Sequence, residues 1–173
     1  TSEVCRKWRI GYLPRDSGGD RAGGTMRGKI VYPMLSEEGD VLTWFGRDPG
    51  FEEKLARWKG AGREGREPSK FHFVKGFHRG VELFGQHQLG EEMFREKAQS
   101  LGLIVVEGPN DVIRLDALGI PAVGLCSNLV TKAQVAKLSG AAWRLCGGWV
   151  TLMLDCDPEG EKGAKQALWE LAQ

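Results

Sequence analysis

The sequence predicts an α/β protein in which a parallel sheet flanked by helices is preceded by a smaller, β-rich α+β subdomain. Two β-like runs, residues 29–35 and 40–45, surround the turn formed by residues 36–39, which is typical of a hairpin. From about residue 88, short apolar runs alternate with helical patterns, which indicates a parallel sheet with crossover helices. The run of residues 103–106 (LIVV) is continuously apolar, as in a strand that is buried on both faces.

The first half of the chain contains few helical patterns. Residues 3–9 and 51–58 are predicted to be short helices, and the first of them leads into residues 10–14. The glycine-rich run of residues 16–24 and the polar run of residues 59–68 are predicted to be loops.

The second half alternates regularly between helices and strands. Helices are predicted at residues 91–101, 111–118, from Thr131 as N-cap to Leu138, and 159–171. Strands are predicted at residues 103–106, 122–125 and 149–154.

Composition and charge place the chain among globular proteins of the cytoplasm. No apolar run approaches the roughly 18–20 residues that cross a bilayer, and no signal peptide opens the chain, so we expect no membrane partner. The first residue is Thr, which indicates a processed chain or an excised fragment. Residues 1–80 hold 16 Lys and Arg against 11 Asp and Glu, whereas residues 81–173 hold 8 against 12. A basic N-terminal half and an acidic C-terminal half fit an enzyme that binds a polyanion next to a carboxylate metal site.

The four cysteines argue against a zinc site and against a disulfide framework. Cys5, Cys126, Cys146 and Cys156 form no C-x-x-C pair, and no histidine stands at zinc-ligand spacing from them. We therefore expect isolated buried thiols and no zinc in this chain.

Acidic residues follow two of the predicted strands. Glu107 comes directly after the first strand with Asp111 four residues later, and Asp155 and Asp157 come after the third. Ligands of open parallel sheets bind beyond the carboxyl ends of the strands, and side chains two apart on extended backbone point the same way. Crowded carboxylates need a cation to stay ionised together, and oxygen ligands favour Mg²⁺, with Mn²⁺ as a substitute. The sequence therefore predicts a metal site for phosphoryl chemistry.

These two segments resemble the motifs of Toprim proteins. Residues 103–115 (LIVVEGPNDVIRL) resemble the first motif, a strand followed by E-G-x-x-D, and residues 150–160 (VTLMLDCDPEG) resemble the second, a strand followed by D-x-D. The resemblance implies a Toprim fold, Rossmann-like, with Glu107, Asp155 and Asp157 as metal ligands and all four acidic residues as catalytic.

The upstream half resembles the RNA polymerase domain of bacterial DnaG-type primases. Five segments match in order: residues 9–14 (RIGYLP), 26–34 (MRGKIVYPM), 44–47 (WFGR), 68–71 (PSKF) and 77–85 (FHRGVELFG). The resemblance implies a basic N-terminal subdomain over residues 1–87 and a Toprim domain over residues 88–173, truncated at its C-terminal end.

The same resemblance implies Mg²⁺-dependent synthesis of RNA primers on a single-stranded DNA template from ribonucleoside triphosphates. A replicative helicase would bind through segments that this chain does not contain. The residues that would contact template or nucleotide are Arg27, Lys29, Arg47, Lys70, Phe71 and Arg79.

Some features depart from the family pattern and leave other functions open. Cys156 stands where a Gly often separates the two aspartates, and the further acidic pair that follows D-x-D in these primases is missing. The alternatives are a fragment or reduced member of the family, a Toprim metal-dependent nuclease, or a nucleic-acid-binding module without catalysis.

Overall fold

The chain folds into two compact units. The structure, a computed structural model, describes residues 2–16 and 25–173; most of the predicted loop at residues 16–24 lies outside that part. One unit comprises Thr1–Pro33 with Leu42–Phe77, and the other comprises Met34–Val41 with His78–Gln173. The predicted division into residues 1–87 and 88–173 stays a prediction. None of the described helices has the length and apolar character needed to cross a membrane.

An antiparallel sheet dominates the first unit. The elements are α1 (Ser2–Lys7), β1 (Gly11–Leu13), β2 (Lys29–Leu35), β3 (Val41–Arg47), α2 (Phe51–Gly60) and β4 (Phe71–Phe73). The strand order is β1-β2-β3-β4, with β1 paired to β2 and β4 paired to β3, both antiparallel. The predicted hairpin is confirmed as β2 and β3, whereas β4 was not predicted.

Stacked aromatic rings hold the fourth strand in place. The ring of Phe45 stacks on Tyr32 at 5.2 Å between centroids and on Phe73 at 4.9 Å. Phe77 stacks in turn on Phe73 at 6.4 Å. Cross-strand aromatic pairs of this kind stabilise a sheet beyond the area they bury. A three-residue strand is too short to be recognised by periodicity, but these contacts are enough to fix it.

The second unit is a parallel three-stranded sheet flanked by helices, as predicted. The elements are α3 (Glu92–Leu101), β5 (Leu103–Val106), α4 (Pro109–Ala117), β6 (Val123–Gly124), α5 (Lys132–Cys146), β7 (Val150–Met153) and α6 (Pro158–Leu171). The strand order is β6-β5-β7, and every residue of the central strand β5 is buried. An isolated bridge joins Phe84 to Gly124 of β6.

Helix α5 is longer than predicted. Its N-cap is Thr131, as expected, but it continues past Leu138 to Cys146. The Ser139-Gly140 pair lowers helix propensity, yet three residues beyond it, Ala141, Ala142 and Leu145, are buried in the core. Packing of that apolar face therefore outweighs the weak local propensity.

Helix α6 approaches the neighbouring backbone at a distance that only glycine allows. A Cβ atom on Gly160 would lie 2.0 Å from the carbonyl oxygen of Asp155, and one on Gly163 would lie 2.0 Å from that of Asn128. Both glycines are buried. The two contacts fix the first turns of α6 against the loops that follow β7 and β6.

We expect Gly160→Ala to lower the free energy of unfolding by about 3 kcal/mol, because the methyl group must displace backbone rather than a flexible side chain. Gly140→Ala is the control: a Cβ there meets nothing within 4 Å, so the change should stabilise α5 by about 0.5–1 kcal/mol. Urea unfolding of the three proteins measures both values. Equal stabilities for the two variants would contradict the close approach of α6.

Candidate metal centre and its neighbouring cation

The three parallel strands present their carboxyl ends along one edge of the sheet. Val106, the last residue of β5, pairs with Gly124 of β6 and with Met153 of β7. Glu107 directly follows Val106, and Asp155 lies two residues beyond Met153. The two acidic segments predicted from the sequence therefore lie at the same edge.

Glu107 is half-buried among other carboxylates. Its Oε2 atom is buried and has no hydrogen-bond partner. Burial raises the pKa of Glu107, and the negative charges of Asp155, Asp157 and Asp111 raise it further, while a hydrogen bond from the backbone of Asp155 opposes the shift. The four acidic residues thus share one electrostatic environment.

Asp111 lies close to the backbone that follows Glu107. It stands in the first turn of α4, whose N-cap is Gly108. A Cβ atom on Gly108 would lie 3.0 Å from Oδ2 of Asp111. The absence of a side chain at Gly108 therefore leaves room for the Asp111 carboxylate beside Glu107.

Asp157 has a structural role in addition to its place in the acidic cluster. It is the N-cap of α6, and its Oδ1 accepts a hydrogen bond from the backbone N–H of Gly160 at 2.8 Å. An N-cap of this type satisfies one of the free N–H groups of the first turn. The cap fixes the orientation of Asp157 and occupies one of its two oxygens. Asp155 and Asp157 are both exposed.

The chemistry of this donor set fits Mg²⁺. All candidate ligands are carboxylate oxygens, and Glu107 offers a buried oxygen that lacks any partner. Within the described ranges, no group of three or more His, Cys, Asp or Glu side chains is arranged so that it could hold a metal ion. Mg²⁺ keeps several waters and is commonly bound through only one or two carboxylates. Binding of Mg²⁺ therefore does not require that these residues form a complete coordination shell.

A positive charge lies near the same edge. Arg79 opens a short 3₁₀ helix, Arg79–Val81. Burial raises the pKa of the Cys126 thiol to about 12, and the nearby charge of Arg79 opposes this shift. Cys126 follows β6 by two residues, in a left-handed conformation with φ of 54°. The first turn of α5 binds the carbonyls of Gly80, Glu82 and Leu125 through the side chains of Thr131 and Gln134, so the segment that begins at Arg79 lies beside the end of β6.

The other basic candidates belong to the first unit. Lys29 begins β2 and donates from Nζ to the carbonyl of Thr25 at 2.6 Å. Arg47 ends β3, and its Nη2 lies 3.7 Å from Oε1 of Glu52. Arg27 is half-buried just ahead of β2. Strands β2 and β3 therefore position Lys29 and Arg47, whereas Arg27 lies in the turn before β2.

Lys70 directly precedes β4, and Phe71 is the first residue of that strand. Lys70 is exposed, and its carbonyl accepts a hydrogen bond from the N–H of Asp48 at 3.0 Å. The ring of Phe71 meets Tyr32 and Phe45 edge-on, at 6.4 and 6.0 Å between centroids. Phe71 is thus half-buried in the aromatic cluster, and its predicted stacking on a base stays a prediction.

Residues 102–173 match the family model described as the Toprim domain. The second unit has a Toprim-like fold. The match covers β5, α4, β6, α5, β7 and α6, and with them all four acidic residues. No curated protein matches the chain.

The fold of the described residues is similar to that of solved DnaG primase catalytic cores. The zinc-binding and RNA polymerase domains of Aquifex aeolicus primase superpose with a TM-score of 0.67 at 21% identity, over 99% of this chain and 44% of that one. The RNA polymerase domain of Mycobacterium tuberculosis DnaG gives 0.67 at 16% identity, over 96% and 59%. A DnaG primase catalytic domain bound to ssDNA gives 0.64 at 22% identity, over 97% and 54%. The chain spans about half the length of these structures.

One set of residues next to the carboxyl edge of the parallel sheet was not predicted from the sequence. Gln134 is buried in the first turn of α5 and forms a capping box with Thr131. The pattern T-x-x-Q at residues 131–134 is the sequence signal of that box and could have been recognised. Nothing in the sequence indicates the further bonds that its amide makes.

We expect Glu107→Gln to stabilise the protein at neutral pH without added metal. Because the folded pKa of Glu107 is raised, the folded chain holds this proton more tightly than the unfolded chain does. Stability is therefore lost as pH rises from the ordinary Glu range through the raised pKa, and Gln removes that loss. Thermal unfolding at a series of pH values measures the effect.

The advantage of Glu107→Gln should disappear at a pH below the ordinary Glu range, where both states are protonated. Glu96→Gln, on the exposed face of α3, is the matched control and should change the melting temperature little at any pH. An advantage that is independent of pH would mean that charge at Glu107 is not its cause.

Proposed function

We propose that this chain is the catalytic core, or a reduced member, of a DNA primase-type nucleotidyltransferase that makes RNA primers on single-stranded DNA. The observation that carries the proposal is the group of four acidic residues at the carboxyl edge of a Toprim sheet, with an unpartnered buried oxygen on Glu107. Toprim and DnaG-core likeness support a primase-type function in general. The substrate and the reaction belong to the proposal.

Glu107, Asp155 and Asp157 would hold Mg²⁺, or Mn²⁺ in its place, and Asp111 would bind a second ion or orient a ligand. The chemistry that the metal would supply when bound is neutralisation of charge on the triphosphate and activation of a 3′-hydroxyl for attack on the α-phosphate, with pyrophosphate as the leaving group. Among the protein's own groups, the hydrogen bond from the Gly160 N–H orients Asp157, and Glu107 is half-buried at the carboxyl edge of the sheet. Positioning and electrostatics would provide most of the rate.

Basic residues would bind the template and the incoming nucleotide. The segments of the first unit hold 15 Lys and Arg against 8 Asp and Glu, a balance that suits a polyanion. Related primase structures include one bound to ssDNA and one in complex with double-stranded DNA, which supports a nucleic-acid partner. Arg27, Lys29, Arg47, Lys70 and Arg79 would contact phosphates, because guanidinium and ammonium groups donate several hydrogen bonds to them. Phe71 would stack on a base.

A helicase partner would act through parts of a longer protein, since the chain spans about half of the structures it resembles. Activity of these 173 residues by themselves is part of the proposal.

We expect short labelled products when the chain is incubated with single-stranded template, labelled ribonucleotides and Mg²⁺ or Mn²⁺. Asp155→Asn with Asp157→Asn should reduce product at least about 100-fold, because the metal ligands lose their charge. Asn caps helices as well as Asp does, so α6 should remain folded. Products separated on a denaturing gel give the measurement.

Asp116→Asn, on α4 and outside the acidic edge, is the control and should leave product formation intact. Shortened template without new products would favour a Toprim nuclease. DNA binding without any reaction, unchanged by the double variant, would contradict a polymerase core and favour a binding module.

A further inference from the structure

The side-chain amide of Gln134 joins three segments next to the carboxyl edge. Its Nε2 donates to the carbonyls of Glu82 and Leu125, each at 2.9 Å. Its Oε1 accepts the N–H of Thr131 at 3.2 Å, and its own backbone N–H donates to Oγ1 of Thr131 at 3.2 Å. Both amide hydrogens and the amide oxygen are therefore used, and the residue has no solvent-exposed surface.

The two carbonyls that Gln134 binds belong to segments that lead to the edge. Leu125 directly precedes Cys126 after β6. Glu82 directly follows the 3₁₀ helix that Arg79 opens. The hydroxyl of Thr131 donates a further hydrogen bond to the carbonyl of Gly80. The first turn of α5 thus fixes the backbone of residues 79–82 at two points and the end of β6 at a third.

An ion pair reinforces the same attachment. Nζ of Lys137 lies 2.7 Å from Oε2 of Glu82 and donates to Oε1 of Gln86 at 3.1 Å. Nε2 of Gln86 donates to Glu82 and to the carbonyl of Leu35, at 2.6 and 2.7 Å. Glu82 and Lys137 are both half-buried, which makes the pair less screened than a surface one. Segment 79–86 is therefore held by side-chain bonds as well as by packing.

We propose that Gln134 is a positioning residue that sets the Arg79 guanidinium relative to the acidic edge of the Toprim sheet. The inference rests on the proposed function, in which Arg79 binds a phosphate of nucleotide or template. Gln134 acts through the backbone of residues 79–82 and contacts no substrate. Displacement of a binding group by about 1 Å can cost about 100-fold in rate, so an orienting bond at this place has a functional consequence.

Gln166 provides a matched control for a role in stability alone. It is half-buried in α6, its Oε1 accepts the N–H of Val130 at 3.0 Å, and its Nε2 donates to the carbonyl of Val130 at 2.9 Å. The same kind of amide thus attaches the loop before α5 to α6. None of its hydrogen bonds within the described chain reaches residues 79–82.

The test compares Gln134→Met with Gln166→Met, each alone and combined with Arg79→Ala. Met has a similar length and volume and removes the amide in both cases. At a temperature where circular dichroism shows every variant folded, KM for ribonucleotide and Kd for single-stranded DNA are measured. We expect Gln134→Met to raise KM or Kd about 10-fold and Gln166→Met to change them less than about 2-fold, although both lower the melting temperature.

Coupling to Arg79 is the decisive part of the kinetic test. In the Arg79→Ala background, Gln134→Met should leave KM and Kd unchanged, while its effect on the melting temperature persists. If Gln134→Met changed KM and Kd by the same factor with Arg79 present and with Arg79→Ala, the two substitutions would act independently and the proposal would be overturned. Equal changes in KM and Kd for Gln134→Met and Gln166→Met would also overturn it.

An NMR measurement on the chain without substrate separates this inference from the proposed function. The Nε–Hε resonance of Arg79 and the backbone amides of residues 79–82 should shift in Gln134→Met and stay in place in Gln166→Met. If the chain makes no primers, the proposed function fails while these resonances still decide the positioning role. Unchanged resonances in Gln134→Met would overturn it.

Discussion

The close approach of α6 to the loops that follow β7 and β6 is the contact on which the acidic edge depends. Gly160 lies against the Asp155 carbonyl and Gly163 against that of Asn128, both at distances that exclude any Cβ. Asp157 then caps the same helix. These contacts fix the D-x-D segment beside Glu107. Glu107 directly follows β5, the central strand of the sheet. A larger residue at either glycine would have to displace α6 from these loops.

That arrangement has an electrostatic cost. Burial and three neighbouring negative charges raise the pKa of Glu107, and one of its oxygens has no partner. The favourable packing of β5 and its flanking helices offsets the repulsion between these carboxylates. A bound cation would relieve this repulsion, and Arg79, close to the end of β6, lies on the same unit with the opposite charge. Gln134 links the segment of Arg79 to that edge by bonds that use its whole amide. Different elements of the second unit thus orient the acidic residues and Arg79.

The sequence predicted the elements in which local pattern and tertiary packing agree. Strand β5, the E-G-x-x-D and D-x-D segments and the hairpin of β2 and β3 each carry a short-range signal, and the structure has them where expected. Strand β4 was missed because aromatic contacts with distant residues fix its three residues. The second half of α5 was missed because burial of Ala141, Ala142 and Leu145 outweighs a Ser-Gly pair. One carbonyl contact of Gln134 reaches Glu82, 52 residues earlier in the sequence, a separation that no local pattern reports.

The most direct test of the account is the location of a metal ion. A crystal of the chain soaked in Mn²⁺ and measured at the manganese absorption edge gives an anomalous difference map that needs no activity. The account predicts a peak at the carboxyl edge of the Toprim sheet, at about 2 Å from an oxygen of Glu107 or Asp155. A map without a peak at that edge, or with its main peak on a different group of side chains, would contradict it.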